Sequence, residues 1–339
     1  MNLFEEKELK ILVVGATGQL GSAVVAQAIL AGHEVRALVR ADADIERLQL
    51  AGATIVLGDL RDKSSLREAC RGMDGVIATA SMVFPRGILT FEEVERDGYR
   101  NLLDACLANG VSRLLYVSIA MPQKEEYLRT VPTLRFKAET EERIRSSGLC
   151  YTTFRCAPFM DDYFALMGSE IPLRGELSAT LKRASGITRI ARIAIGRSID
   201  RWGIALVPGS PQSKHAFVAV EDVAGLMVAS LIESDTFNRT IEVSGPRAVS
   251  WREICGIYES IRGAPVVALS LPAWLLRQTA KAIASLMPVE ANQIGLLRVL
   301  ASEQSGVQRL PSALAGKCRH LDPEAYLREK SKIRPQVVS

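Results

Sequence analysis

Residues 10–33 read KILVVGATGQLGSAVVAQAILAGH, and this stretch decides the fold. A β-branched run, Ile11 to Val14, meets three glycines, Gly15, Gly18 and Gly21. A segment of helical period, Gln19 to Ala31, then runs to a stop at Gly32. Glycine at a strand-to-helix turn lets the chain reverse tightly, lets the backbone approach a pyrophosphate and lets helix pack on strand. The helix N-terminus then presents free amides to the phosphates. The loop therefore predicts dinucleotide binding at the start of a βαβ unit. Beyond the glycines themselves, Thr17, Gln19 and Leu20 belong to the same candidate site.

The pattern continues outward from that unit. Further strand-like runs are Glu34 to Val39, Thr54 to Leu57, Gly75 to Ala78, Leu114 to Ser118, Tyr151 to Phe154 and Thr240 to Val243. Most are continuously apolar, as strands covered on both faces must be. Helices are expected between them: Ser65 to Cys70, opened by a Ser65/Glu68 capping box, then Phe91 to Ala108, Phe136 to Ser147 and one from Glu221. Strands alternating with helices predict an α/β fold, a Rossmann-type doubly wound parallel sheet, with a smaller and mostly helical substrate-side cap. The expected division is a nucleotide-binding core over 9–160, a basic insertion or lid over 161–215, a return to the core over 216–246, a helical cap over 247–330 and a tail over 331–339.

Composition narrows the function classes. The chain has 339 residues, with 42 Lys and Arg against 38 Asp and Glu, a net charge of +4. That balance lacks the dense basic face of a nucleic-acid binder. Six cysteines without a CxxC spacing, and three histidines without ligand spacing, suggest no metal site. The charged amino terminus does not resemble a secretory signal, and reduced thiols fit a cytoplasmic location. The nearest approach to a membrane span, Val266 to Val289, carries Arg277 and Lys281 and falls short of the roughly 18 uncharged apolar residues required.

The spacing GxxGxxG, together with GDL at Gly58 to Leu60, YTTFRCAPFM at Tyr151 to Met160, HAFVAVEDVA at His215 to Ala224 and IEVSGP at Ile241 to Pro246, resembles the NmrA-like, isoflavone-reductase-like group of atypical short-chain dehydrogenases/reductases. The resemblance runs from about Lys10 to Pro246. It implies an NAD(P)-binding fold, places Asp59 with its neighbour Leu60 against the adenine, and matches Lys137 to the family lysine. Cofactor choice can also be argued from charge. The second strand ends at Arg40 with no acid over Ala37 to Arg40, so a 2′-phosphate finds a guanidinium where NAD would need a carboxylate. NADP(H) is expected over NAD(H). Thr79, Ala80 and Ser81 end the fourth strand and should line the cofactor groove.

Catalysis reads less simply. Ser118 ends the fifth strand where the group's serine belongs, but the position four before Lys137 is Thr133, where a YxxxK motif would have tyrosine. An aliphatic hydroxyl is too weak an acid to replace a phenol. Either Lys137 polarises or protonates the substrate, as the resemblance suggests, or it only binds the nicotinamide ribose. A third alternative is a surface lysine paired with Glu139 or Glu141. Phe159, Met160 and Tyr163 are the candidate substrate contacts. His215 either faces the cleft or makes a structural hydrogen bond. The leading expectation is an NADPH-dependent oxidoreductase acting on a small or medium apolar carbonyl or conjugated alkene. The competing one is a non-catalytic NADP(H)-binding redox sensor or assembly factor.

From Leu166 to Ala216 eight basic residues stand against three acidic ones. At about 100° per residue, Leu181, Ala184, Ile187, Ala191, Ala194, Ile195 and Ile199 share one half of a helix over 181–202, and six basic residues share the other, with Ile190 and Ile193 as exceptions on the basic side. Such a helix is expected to be a lid or partner-packing element; the alternative is peripheral contact with an anionic membrane, delivering a lipophilic substrate.

Overall fold

A computed structural model describes residues 8–83, 89–176, 178, 181 and 196–334. Seven parallel strands form the central sheet: β1 (Lys10–Val14), β2 (Glu34–Val39), β3 (Thr54–Leu57), β4 (Gly75–Ala78), β5 (Arg113–Ile119), β6 (Tyr151–Cys156) and β9 (Arg239–Val243). Their order is β3-β2-β1-β4-β5-β6-β9, so the direction of winding reverses between β1 and β4. A ligand crevice opens at such a switch point, beyond the carboxyl ends of the strands. The glycine loop follows β1 and sits there.

Helices cover both faces. On one side α1 (Gln19–Leu30) and α9 (Val220–Ala229) bury Val24, Val25, Val223 and Met227 against Ile11, Val13 and Ile77. On the other, α3 (Lys63–Cys70), α4 (Tyr99–Ala108) and α6 (Pro132–Ser146) close over Leu12, Val76, Leu114 and Tyr116. Every strand expected from the sequence is present, to within two residues at each end. Helix starts differ more. Asp62, not Ser65, caps α3, its carboxylate accepting from the Ser64 amide at 2.9 Å. α6 begins at Pro132, whose missing N–H costs nothing in a first turn, so Lys137 lies more than a turn inside the helix instead of opening it. The expected helix from Phe91 enters as a π-helical stretch, Glu92–Gly98, before α4.

The segments before and after β9 share a second core. β7 (Ile204–Pro208) pairs in parallel with β11 (Val267–Leu271), and β8 (Lys214–His215) pairs antiparallel with β10 (Val249–Ser250). Between them pack α7 (Met160–Leu166), α10 (Trp251–Arg262) and α13 (Pro323–Lys332), through Phe164, Phe217, Trp251, Tyr258 and Leu327. This lobe is thus a mixed α/β layer in which helices predominate. α11 (Ala273–Ile283) and α12 (Pro288–Ser302) form a hairpin, with Trp274 67% exposed on its outer side. The basic stretch 182–195 lies outside the described residues. Of the amphipathic helix expected over 181–202, the structure describes Leu181, which is buried, and the turn α8 (Ser198–Trp202), where Ile199 faces inward. Among the described residues no helix is long and apolar enough to cross a membrane.

Candidate functional site

A single cleft of about 680 Å³ runs from the glycine loop to α12. Its first half is built by the backbone. Gly15 has φ +88°, and a Cβ there would stand 2.6 Å from the Ala80 nitrogen. A Cβ on Gly21 would stand 2.1 Å from the Gly15 carbonyl oxygen, so only glycine lets α1 start this close to β1. Gly18 is the N-cap and offers no side chain to the first turn, which contains no acidic residue. The first-turn amides therefore keep their affinity for an anion. Gly15, Thr17, Gly18, Gln19, Leu20 and Gly21 all line the cleft. Glycines whose Cβ would collide, beside uncapped amides, are a cradle that fits a pyrophosphate.

At the far end of this half stand Arg40, Asp59 and Leu60. The Arg61 guanidinium grips the Asp59 carboxylate at 2.9 Å and holds it below the usual carboxylate range. Arg40 ends β2 with its Nε 3.6 Å from the exposed Asp42. Thr79, Ala80 and Ser81 line the cleft at the end of β4. The Thr79 hydroxyl donates to the Val14 carbonyl at 3.0 Å, and the Tyr99 hydroxyl donates to the carbonyl of Ala80. These bonds fix the loop that faces the glycines.

The centre of the cleft holds Lys137, which is 2% exposed. Its ammonium donates to the Val117 carbonyl at 3.1 Å, lies 3.7 Å from a Glu95 oxygen and stands over the Tyr116 ring at 4.8 Å. The surface pairing with Glu139 or Glu141 is excluded by this burial. Glu95 is fully buried, and its other oxygen accepts from the Met82 amide at 2.7 Å and from the Ser81 hydroxyl at 3.2 Å. One carboxylate thus ties the end of β4 to Lys137. Sequence reasoning missed it. A signal existed: in FEEVERDGYRNLL the carboxylate falls on the stripe of Phe91, Gly98, Tyr99 and Leu102, where an apolar residue would otherwise sit. The π-helical stretch that carries it is an irregularity found at functional sites.

Ser118 also lines the cleft, but its hydroxyl donates to Glu141, which Arg155 holds at 2.7 Å. Thr133 does not line it. Its amide donates to the Asn292 side-chain oxygen at 2.9 Å, and its hydroxyl accepts from the Asn292 amide at 2.9 Å. The position of the absent tyrosine is therefore a joint between α6 and α12. Gly295, whose Cβ would meet Val131 at 2.9 Å, lets the two helices approach there.

The second half of the cleft is built by side chains. Phe159, Asp162 and Tyr163 line one side, and Leu296, Val299 and Leu300 of α12 the other. Met160 is a correction. It is fully buried in the lobe core with Phe164 and Phe217, because the extended residue Phe159 precedes α7 and the first helical residue turns inward. Asp161 also turns inward and accepts from the Val220 amide at 3.1 Å. Asp162 faces the cleft, and one of its oxygens is shielded from water without a hydrogen-bond partner. Burial, reinforced by the neighbouring Asp161, pushes its carboxyl up to about 7. His215 lines the cleft too, packed on Phe217 and Trp251. Both ring nitrogens are buried, the Leu300 backbone meets one edge of the ring as a structural contact, and burial depresses the imidazole to about 4. His215 is therefore neutral at physiological pH.

With this geometry established, similarity to known proteins can be set beside it. The chain is 28% identical over 257 residues to the photosystem II assembly factor Ycf39 of Cyanophora paradoxa, covering 75% of this chain and 69% of that one. It is 30% identical over 261 residues to a (4-alkanoyl-5-oxo-2,5-dihydrofuran-3-yl)methyl phosphate reductase of Streptomyces griseus, covering 76% and 75%. Among solved structures, the triphenylmethane reductase of Citrobacter sp. complexed with NADP(H) superposes with a TM-score of 0.67 at 18% identity, over 95% of this chain and 99% of that one. An NADPH-dependent quinone oxidoreductase of Escherichia coli complexed with NADPH gives 0.60 at 21% identity, over 95% and 94%. The fold of these dinucleotide-bound enzymes is the fold of this chain. The NmrA-like family profile matches residues 7–178, just over half of the sequence, and the protein belongs to the NmrA-like family.

Proposed function

We propose that the protein is an NADPH-dependent oxidoreductase acting on a small or medium apolar carbonyl or conjugated alkene. The observation that carries this reading is the continuity of the cleft. A glycine cradle fit for a pyrophosphate runs, past a buried lysine, into a pocket walled by Phe159, Tyr163, Leu296, Val299 and Leu300. When bound, the dinucleotide supplies the hydride. Gly15, Thr17, Gly18, Gln19, Leu20 and Gly21 hold its pyrophosphate through backbone amides. Arg40 pairs with the 2′-phosphate, and Asp59 and Leu60 border the adenine. Thr79, Ala80 and Ser81 shape the groove toward the nicotinamide. Lys137 has two of its three donor directions taken by Val117 and Glu95, and directs the third at the ribose or the substrate oxygen. Ser118 supports that region through Glu141. The similar proteins bearing reductase names favour the enzyme reading.

A second reading, an NADP(H)-binding assembly factor, is favoured by the similarity to Ycf39 and by the loss of the tyrosine hydroxyl to a helix joint at Thr133. Calorimetric titration with NADPH, NADP, NADH and NAD tests what both share. Tight binding of the phosphorylated pair is expected, and Arg40→Ala should weaken it about tenfold (about 1.4 kcal/mol) while leaving NADH unchanged. Binding of no nucleotide would end both readings. Oxidation of NADPH by apolar carbonyls then separates the enzyme from the factor.

A further inference from the structure

Among the hydroxyls of the cleft, those of Thr79, Ser81, Ser118 and Ser305 are already committed: to the Val14 carbonyl, to Glu95, to Glu141 and to the Ala216 amide. The hydroxyls of Tyr99 and Thr133 beside the cleft are tied to Ala80 and Asn292. Tyr163 lines the pocket, but burial and the nearby Asp162 push its phenol above the ordinary tyrosine range and make it a poorer acid. Lys137 is paired with Glu95 and the Val117 carbonyl, with one donor direction left for the ribose or the substrate oxygen. Two carboxylates at the rim are engaged as well: Glu242 with Arg155 at 3.3 Å, and Glu303 with the amides of Gln123 and Lys124 at 2.9 and 3.1 Å. Two groups on the substrate side stand out among the described residues: Asp162, with a buried oxygen that meets no hydrogen-bond partner, and His215, with a buried ring nitrogen beyond the edge that the Leu300 backbone meets.

We propose that Asp162 is the proton donor at the substrate oxygen, replacing the absent tyrosine, and that neutral His215 hydrogen-bonds the same substrate at its polar end. This deepens the oxidoreductase reading and rests on it. The placement follows from the fold. Asp162 sits on the first turn of α7, three residues beyond Phe159, where β6 delivers the chain to the substrate side of the cleft. Its neighbour Asp161 is anchored to Val220 and adds negative charge beside it without entering the cleft. A carboxyl held near neutral pH in this way is protonated in a useful fraction of molecules, and its acidity matches the task of a general acid. The Leu300 backbone meets one edge of the His215 ring, and the other ring nitrogen, shielded in the pocket, gains by meeting a ligand, because a buried polar atom without a partner is costly.

The carbonyl carbon gains the hydride, and the C=O π pair moves to oxygen. That oxygen takes the proton as the Asp162 O–H bond breaks, and the product is an alcohol; a para-quinone gives the 4-hydroxydienone, which aromatises to the hydroquinone as its C4 proton leaves to water and its second oxygen takes one from water. Asp162 is left as a carboxylate and recovers its proton from water.

The test uses the full chain, NADPH and a para-benzoquinone as oxidant, in single turnovers followed by loss of NADPH absorbance above the enzyme-free rate. The rate should be level below about pH 7 and fall tenfold per unit above it as Asp162 deprotonates. Asp162→Asn should lower the rate about a hundredfold and flatten the profile, with NADPH binding retained, and Asp162→Glu should restore part of both. A carbon NMR titration of the side-chain carboxyls, without cofactor, gives an independent readout. One resonance should titrate near 7 and vanish in Asp162→Asn. Asp162→Asn turning over with the wild-type rate and profile would overturn the proposal and leave the oxidoreductase reading standing. So would an Asp162 carboxyl titrating in the ordinary range. Wild-type protein that binds no NADPH would instead remove the reading itself, and the proposal with it.

Discussion

The two halves of the cleft are made of different material. On the dinucleotide side the surface is backbone: three glycines, a helix N-terminus and the ends of β1 and β4, brought together by residues close in sequence or adjacent in the sheet. On the substrate side it is side chains from α6, α7, β8 and α12, collected from segments as far apart as Leu134 and Leu296. Backbone geometry tolerates almost no substitution and binds what every member of a nucleotide-binding family must bind. Side-chain geometry can be revised one residue at a time. The joint between the halves is the buried pair Lys137 and Glu95, which belongs to both.

The largest expected effect falls on that joint. Glu95→Gln keeps the shape of the side chain and removes the charge facing an ammonium that is 2% exposed. Removing one partner of a buried pair leaves the other uncompensated, and the cost should be about 3 kcal/mol of unfolding free energy in a denaturant titration. Lys137→Met combined with Glu95→Gln should recover much of it, since no buried charge then remains. A single variant as stable as the wild type would show that the rings of Tyr116 and Tyr99 and the Val117 carbonyl suffice for Lys137.

Next comes the backbone half. Gly21→Ala sets a methyl group 2.1 Å from the Gly15 oxygen, and the loop must move away from α1 to accept it. NADPH affinity should fall about a hundredfold, or roughly 2.7 kcal/mol, by calorimetry, with a smaller loss of overall stability because the collision is confined to one turn. An affinity change below a few-fold would mean that the phosphates do not use this turn, and the division into a backbone half and a side-chain half would lose its basis.

The same division explains what could be read from the sequence. β1 to β6 were legible because each is a short apolar run bounded by turn residues, and the crevice followed from the position of Gly15, Gly18 and Gly21. Lys137 was legible by resemblance. Glu95 was not, because its partner is 42 residues away along the chain and meets it only once α4 and α6 pack together. The pairing of β7 with β11 joins residues some 60 apart across α10, and neither strand alone announces a parallel neighbour. Met160 was misplaced for a local reason: Phe159 is extended and faces the cleft, and the next residue opens α7 and turns into the lobe core. The Ser65/Glu68 box matched a capping pattern, but Asp62 lies three residues earlier and reaches the first-turn amide with a stronger acceptor.

The smallest effect tests whether the cap can be loosened without touching the cofactor. Asn292→Ala removes both hydrogen bonds to Thr133, leaving a buried amide and a buried hydroxyl without their partner. A loss of roughly 1 to 2 kcal/mol of stability is the ordinary consequence. The informative part is its distribution. α12 carries Leu296, Val299 and Leu300 into the substrate pocket and is held elsewhere by the Arg298 contact to Glu126 at 2.8 Å and the Gln293 contact to the Val83 carbonyl at 2.8 Å. Freed at Asn292, the helix should sway about those anchors, raising the KM for an apolar carbonyl while the dissociation constant for NADPH stays within about twofold of wild type. Equal weakening of both would mean that α12 transmits strain through Thr133 to Lys137, one turn further along α6. The substrate wall and the cofactor site would then act as one unit, in which the closing of the cap over a substrate also tightens the hold on the dinucleotide.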